Sequence, residues 1–248
     1  MNFPINFNIN FIFNLLSKMG LPEFGAKKHN FIYKRFFKRL AIYENGHGIA
    51  VNSIEVEVIK SLSRIRRGFD AKSGNGCKDT SLPKFTDMRS VNEKKRFVDN
   101  GFWIKSRPEC QIEIEEDHDD RKVFYFVFNP PLKKGQVLRL SYAVSVKCMF
   151  PIRNGIFDPS IACNPNEALG KANFEVKHFI EDFEYEIAFR GVQPKQLPIM
   201  EIQQEDGNRV ETINPKVYFD PFYDRYRFSL KKPKVGYTIS IQWLWKTK

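Results

Sequence analysis

Tyr125-Phe126-Val127-Phe128-Asn129-Pro130-Pro131-Leu132-Lys133-Lys134-Gly135 is followed by Leu138, Leu140 and Tyr142 at alternating positions. A second copy lies further along the chain: Arg227-Phe228-Ser229-Leu230-Lys231-Lys232-Pro233-Lys234-Val235-Gly236 precedes Ile239, Ile241 and Trp243. Both copies place their apolar residues three, five and seven positions after the glycine. A period-two strand, a turn of Pro, Lys and Gly and another period-two strand are the pattern of an antiparallel sheet with one buried face. The expectation is an all-β chain of two tandem antiparallel β-sandwich units, each ended by a closing hairpin of this kind.

Composition agrees with that class. The 248 residues are 42% hydrophobic and 15% aromatic, with 24 Phe, and large flat rings suit the space between facing sheets. Candidate strands divide the chain into an arm over 1–35, a first sandwich over 36–150, a linker over 151–170 and a second sandwich over 171–248. The linker reading rests on Pro151, Gly155, Pro159, Pro165 and Gly170. In the first sandwich, Asn45-Gly46-His47-Gly48 supplies the backbone freedom for a tight hairpin turn. The density of strands resembles immunoglobulin-like and fibronectin-like modules; that resemblance implies architecture and carries no function.

The net charge of +11 is concentrated early: residues 1–100 hold 18 Lys and Arg against nine Asp and Glu. Asn2 to Phe11 alternates like a strand, and the next turn or two could be helical, so the arm is read as short and either extended or helical. Lys27, Lys28, Lys34, Arg35, Lys38 and Arg39 interleave with Phe31, Tyr33, Phe36 and Phe37. As a helix, that stretch would set an apolar side against a basic one. With Arg64, Arg66, Arg67, Lys94, Lys95 and Arg96 these residues form the candidate surface for an anionic partner, nucleic acid or a lipid surface. The other reading makes them solvated charges that guard strand edges.

Chemistry-bearing motifs are sparse. Cys77, Cys110, Cys148 and Cys163 show no CxxC spacing, and no Asn-x-Ser/Thr acceptor occurs, which predicts a reduced, cytoplasmic chain without a zinc site. No window is apolar for the ~20 residues a membrane helix needs. No nucleophile elbow, phosphate loop or metalloprotease helix motif is present. His118 sits in the acidic run Glu115 to Asp120, read as a solvated turn, and His178 with Glu181 and Asp182 is read as facing solvent at a hairpin end. No catalytic residue, metal or cofactor is therefore assigned. Tyr218, Phe219, Phe222, Tyr223 and Tyr226 form a candidate recognition loop, since aromatic anchors are favoured at binding sites. The function these features support is a non-catalytic interaction or sensing module with a protein partner, a ligand or a second copy of itself. The alternatives are an anionic-surface binder and a hydrolase or nuclease.

Overall fold

The structure, a computed structural model, describes residues 30–70, 77–78, 82, 88–90, 101–119, 121–166, 168–204, 207–218 and 224–247. Lys27, Lys28, Lys94, Lys95, Arg96, Phe219, Phe222 and Tyr223 lie outside the described residues, as does the arm before Asn30. Every regular element described is a β-strand. In chain order these are β1 (Phe31–Tyr43), β2 (Gly48–Val58), β3 (Leu62–Asp70), β4 (Met88–Ser90), β5 (Gly101–Arg107), β6 (Gln111–Asp117), β7 (Arg121–Leu132) and β8 (Val137–Val146). There follow β9 (Ile152–Arg153), β10 (Ile156–Phe157), β11 (Leu169–Glu175), β12 (Ile180–Arg190), β13 (Pro194–Gln203), β14 (Arg209–Ile213), β15 (Lys216–Tyr218), β16 (Asp224–Lys231) and β17 (Thr238–Trp245).

One sheet of eight strands, ordered β15-β16-β12-β1-β2-β8-β5-β4, forms a layer. Two smaller sheets, β3-β7-β6 and β11-β17-β13-β14, complete the sandwich. Both cover the same face of the large sheet. The register puts Tyr142, Asn52, Lys38 and Tyr185 in one cross-strand row, and Ile42 beside Phe189 on the same face two rows on. Tyr142 meets Phe69, Phe124 and Phe126 of one small sheet, while Phe189 meets Trp243 and Trp245 of the other.

The doubled motif does something other than close a hairpin. β7 pairs with β3 and β6, whereas β8 pairs with β2 and β5. Likewise β16 lies in the large sheet and β17 in a small one. Each copy is an arch that carries the chain from one layer to the other. The Gly135 amide donates to Val58 O, the Gln136 amide to Lys133 O and the Val58 amide to Gln136 O. In the second copy the Gly236 amide donates to Val176 O, the Tyr237 amide to Lys234 O and the Val176 amide to Tyr237 O. Val58 and Val176 are both fully buried; Val58 ends β2 and Val176 directly follows β11, and the chain beyond each also changes layer. Gly135 and Gly236 both have left-handed φ values, +83° and +90°. The repeated unit is thus a pair of nested arches, and a Pro-Lys-Gly turn signals the arch as readily as the hairpin because both need the same reversal.

Residues 31–39 form a strand, not the basic amphipathic helix that the aromatic spacing suggests. A bulge between Tyr33 and Arg35 opposite β2 inserts one residue, so Phe31 and Tyr33 face the core, as do Phe36, Leu40 and Ile42 after it. The extra residue turns a spacing of two into a spacing of three, which imitates a helical face. β1 then pairs with β12 in parallel over the whole of its second half, so strands from both expected units share the large sheet. The stretch over 151–170 is packed: Ile152 and Phe157 belong to the core, and the Gly155 amide donates to Glu44 O; Phe150, just before it, meets Trp243 and Trp245.

A strand glycine and an arch glycine together give a test of the arrangement. A Cβ on Gly170 would lie inside the Trp243 indole, whereas Gly135 has open space around it. Gly170→Ala should therefore destabilise by about 1–3 kcal/mol through overpacking, and Gly135→Ala by about 1–2 kcal/mol through its left-handed φ alone. Urea unfolding midpoints of the two variants check that order.

Candidate functional site

The inner face of the large sheet is built of alternating apolar side chains, and one row interrupts it. Phe183, Phe36, Ile54 and Leu140 form the row on one side, and Ile187, Leu40, Ala50 and Val144 the row on the other. Between them run Tyr185, Lys38, Asn52 and Tyr142. The middle of this polar row floors a cleft of about 700 Å³. Its walls come from β3 and β7 on one side and β11 on the other, so it lies over β1, where the two small sheets leave the large one uncovered.

Three cations enter the cleft. Lys38 stands on the floor with its Nζ 5.0 Å from the Phe174 ring centre and 5.6 Å from that of Tyr185. Cation–π attraction offsets part of its desolvation, but no carboxylate among the described residues pairs with it. Burial pulls its pKa down to about 8. Arg67 stacks its guanidinium 5.2 Å from the Tyr33 ring centre and donates to the Tyr33 hydroxyl and to Arg66 O. Its Nε is buried without a hydrogen-bond partner, and burial lowers its pKa. Lys122, whose side chain is fully buried, pairs with Asp117. Tyr142 takes a raised pKa from burial, against the pull of Arg67. His178 lines the rim with its ring 5.0 Å from Phe31 and 5.8 Å from Tyr33, against the expectation that it faces solvent. Buried charges cost several kcal/mol each unless compensated. Here Lys38 and Arg67 have no carboxylate partner among the described residues and Lys122 pairs with an exposed one, so the arrangement favours an incoming anion.

Among the described residues, most of the other predicted cations are paired with carboxylates in place. Lys34 contacts Glu181 at 2.7 Å and Glu57 at 3.4 Å, Arg35 contacts Glu184 at 3.0 Å, and Arg66 contacts Glu115 at 2.7 Å. Arg39 Nε and Arg227 reach the buried Glu186 at 2.7 and 3.0 Å. Arg64 lies over Tyr125, 4.8 Å from its ring centre. Arg39 and Arg227 stand directly opposite Glu186 on the two neighbouring strands, positions where opposite charges attract. Of the predicted set, Lys38 and Arg67 are the two that project into the cleft without a carboxylate. In the recognition loop, Tyr226 is a core residue, 4% exposed and packed on Phe189; inward parity on β16 removes it from any surface. Tyr218 lies at the end of β15 on the sheet edge.

Lys122 and Asn52 escaped the reading of charge clusters, yet the sequence carries their signal. Lys122 shares parity with Phe124, Phe126 and Phe128, Asn52 with Ile54, Val56 and Val58, and Lys38 with Phe36 and Leu40. A polar residue at an inward position of an apolar period-two row marks the cleft. Among the described residues, no group of three or more His, Cys, Asp or Glu could hold a metal ion, and no helix is long and apolar enough to cross a membrane.

No family model matches the sequence, and no curated protein matches it. Among solved structures, the chain is similar to a candidate protease from Parabacteroides distasonis, at 8% identity and a TM-score of 0.47, over 87% of this chain and 40% of that one. An M1 zinc metallopeptidase from Deinococcus radiodurans aligns at 10% identity and a TM-score of 0.44, over 87% of this chain and 43% of that one. This chain thus spans about two fifths of the length of those structures.

Lys38 also makes the site testable without a ligand. Its folded pKa of about 8 lies below the ~10.4 of an unfolded lysine. Between those values the unfolded chain binds more protons, so stability rises with pH from about 8 upward and is level below that. Lys38→Met should abolish the rise between pH 8 and about 9.5, before tyrosines titrate. At pH 7 it should stabilise the protein by up to about 3 kcal/mol, the free-energy equivalent of that shift. Denaturation free energies across the pH range, with and without the substitution, check both statements.

Proposed function

We propose that the chain is a non-catalytic binding module whose ligand, a small molecule or a partner's acidic segment, sits in the cleft over β1. The observation that supports this reading is the polar row Lys38-Asn52-Tyr142 crossing an apolar sheet face beneath an open cavity. A row of polar side chains at core positions costs stability, and binding is what such a cost can serve. A cavity of about 700 Å³ falls in the range of roughly 300–1,000 Å³ that accommodates small ligands. The four cysteines are free, which fits a reduced, cytoplasmic setting.

Polyanion binding by the exposed cations has weaker support. Lys34, Arg35, Arg39 and Arg66 each spend their charge on a glutamate, and a cation already paired is a poorer neutraliser of phosphate, so it displaces fewer of the polyanion's counterions.

Amide chemical-shift mapping against a mixed library of acidic, neutral and basic fragments checks the module reading. Hits should shift the amides of Lys38, Asn52 and Ala172 at the cleft. Hits confined to other surfaces would overturn it. A DNA or heparin affinity that falls steeply between about 50 and 200 mM salt, with no shift at the cleft, would favour the polyanion reading instead.

A further inference from the structure

Three inward cations define more than a ligand site; they define the ligand's charge. Resting on the cleft as the binding site, the geometry points to a small organic dianion, its oxyanion groups held between Lys38 on the floor and Arg67 and Lys122 on the wall, its body against the surrounding rings. A phosphate monoester and a dicarboxylate share this chemistry.

The charge census sets the valence. Lys38 and Arg67 contribute two positive charges with no carboxylate partner among the described residues, and Lys122, the third cation, is already paired with the exposed Asp117. The balance is two. At the rim, Arg66 and Arg121 are held by Glu115 and Glu116 and Lys177 by Glu175, while Lys171, half-buried on β11, adds one further cation beside the two inward ones.

The donors are also prepared for an oxyanion. Arg67 is fixed by its stack on Tyr33 and by two donated hydrogen bonds, while its Nε stays buried without a partner. A pre-positioned guanidinium with an unused N–H matches carboxylate or phosphate oxygens. Lys38 is held among Phe174 and Tyr185 with no hydrogen-bond acceptor among the described residues. Phe69, Phe174 and Tyr142, which line the same cavity, supply apolar surface for the carbon body of the ligand. A bare inorganic ion would leave that surface unused, so an organic dianion should bind more tightly than phosphate alone.

Calorimetric titration of the full chain with phenyl phosphate, succinate, inorganic phosphate and neutral succinamide tests the assignment. At low ionic strength, phenyl phosphate or succinate should bind at one site per chain, at least tenfold more tightly than succinamide; whichever of the two leads identifies the source of the dianion. Lys38→Met and Arg67→Met should each weaken that binding at least tenfold, while Lys34→Met, outside the cleft, should leave it unchanged. Because Lys38→Met is expected to be the more stable fold, its loss of binding cannot be ascribed to unfolding, and thermal denaturation of each variant records this. Affinity should also fall as pH rises through 8. Equal binding of succinamide and succinate, or dianion binding indifferent to both cleft substitutions, overturns the dianion assignment. If neutral fragments shift the cleft amides while no dianion binds, the assignment fails and the cleft reading stands; if nothing shifts them, both fail.

Discussion

The parallel ladder between β1 and β12 is the constraint on which the rest of the structure depends. Parallel neighbours need a long connection, and here that connection contains an entire sandwich's worth of chain. The result is a sheet whose halves are each roofed by their own arches: β3-β7-β6 over the strands around β8, and β11-β17-β13-β14 over those around β12. β1 lies at the seam between the roofs. A strand in the middle of the largest sheet, normally the most deeply buried place in a β protein, therefore borders a cavity.

That geometry explains why cations can stand among so many aromatic side chains. Phe36, Phe174 and Phe183 stack beside Lys38, and Phe124, Phe126 and Tyr142 crowd beside Arg67 and Lys122. The rings seal the two halves of the sandwich on either side of the seam. Across the sheet, on its opposite face, the same strands present a lattice of alternating charge: Lys231 with Asp182, Arg35 with Glu184, and Arg139 with Glu55. Period-two alternation thus sends one set of cations to partners on the open face and another, smaller set into the cleft. The two sets differ by parity alone, and their chemistry diverges accordingly.

Much of the fold was legible in the residues. Alternation in β7, β8, β16 and β17 and the Asn-Gly turn between β1 and β2 predict strands where strands occur, and the duplicated turn predicts internal repetition. The pairing of those strands was not legible, because a Pro-Lys-Gly reversal is compatible with a hairpin inside one sheet and with an arch between two. Nor was the bulge at Lys34, whose extra residue gives β1 the spacing of a helix. At the site, the density of Lys and Arg in the first hundred residues drew attention to Lys34, Arg35, Arg39 and Arg66, all of which the fold consumes in ion pairs. Lys122 lies outside that density, and its signal is the parity it shares with Phe124, Phe126 and Phe128 in β7.

The sequence by itself determined the class of structure and, within the regular strands away from the β1 bulge, the face to which side chains belong, because strand periodicity is local and the sign of the parity follows from the nearest buried Phe or Ile. Tertiary structure alone decided which inward-facing polar residues meet. Lys38, Asn52, Arg67 and Lys122 lie on four strands in two sheets, and their convergence depends on the ladder registers and on the gap that two separate roofs leave above β1. Registers and gaps are properties of long-range pairing, where one residue of slip would move every cation to the opposite face.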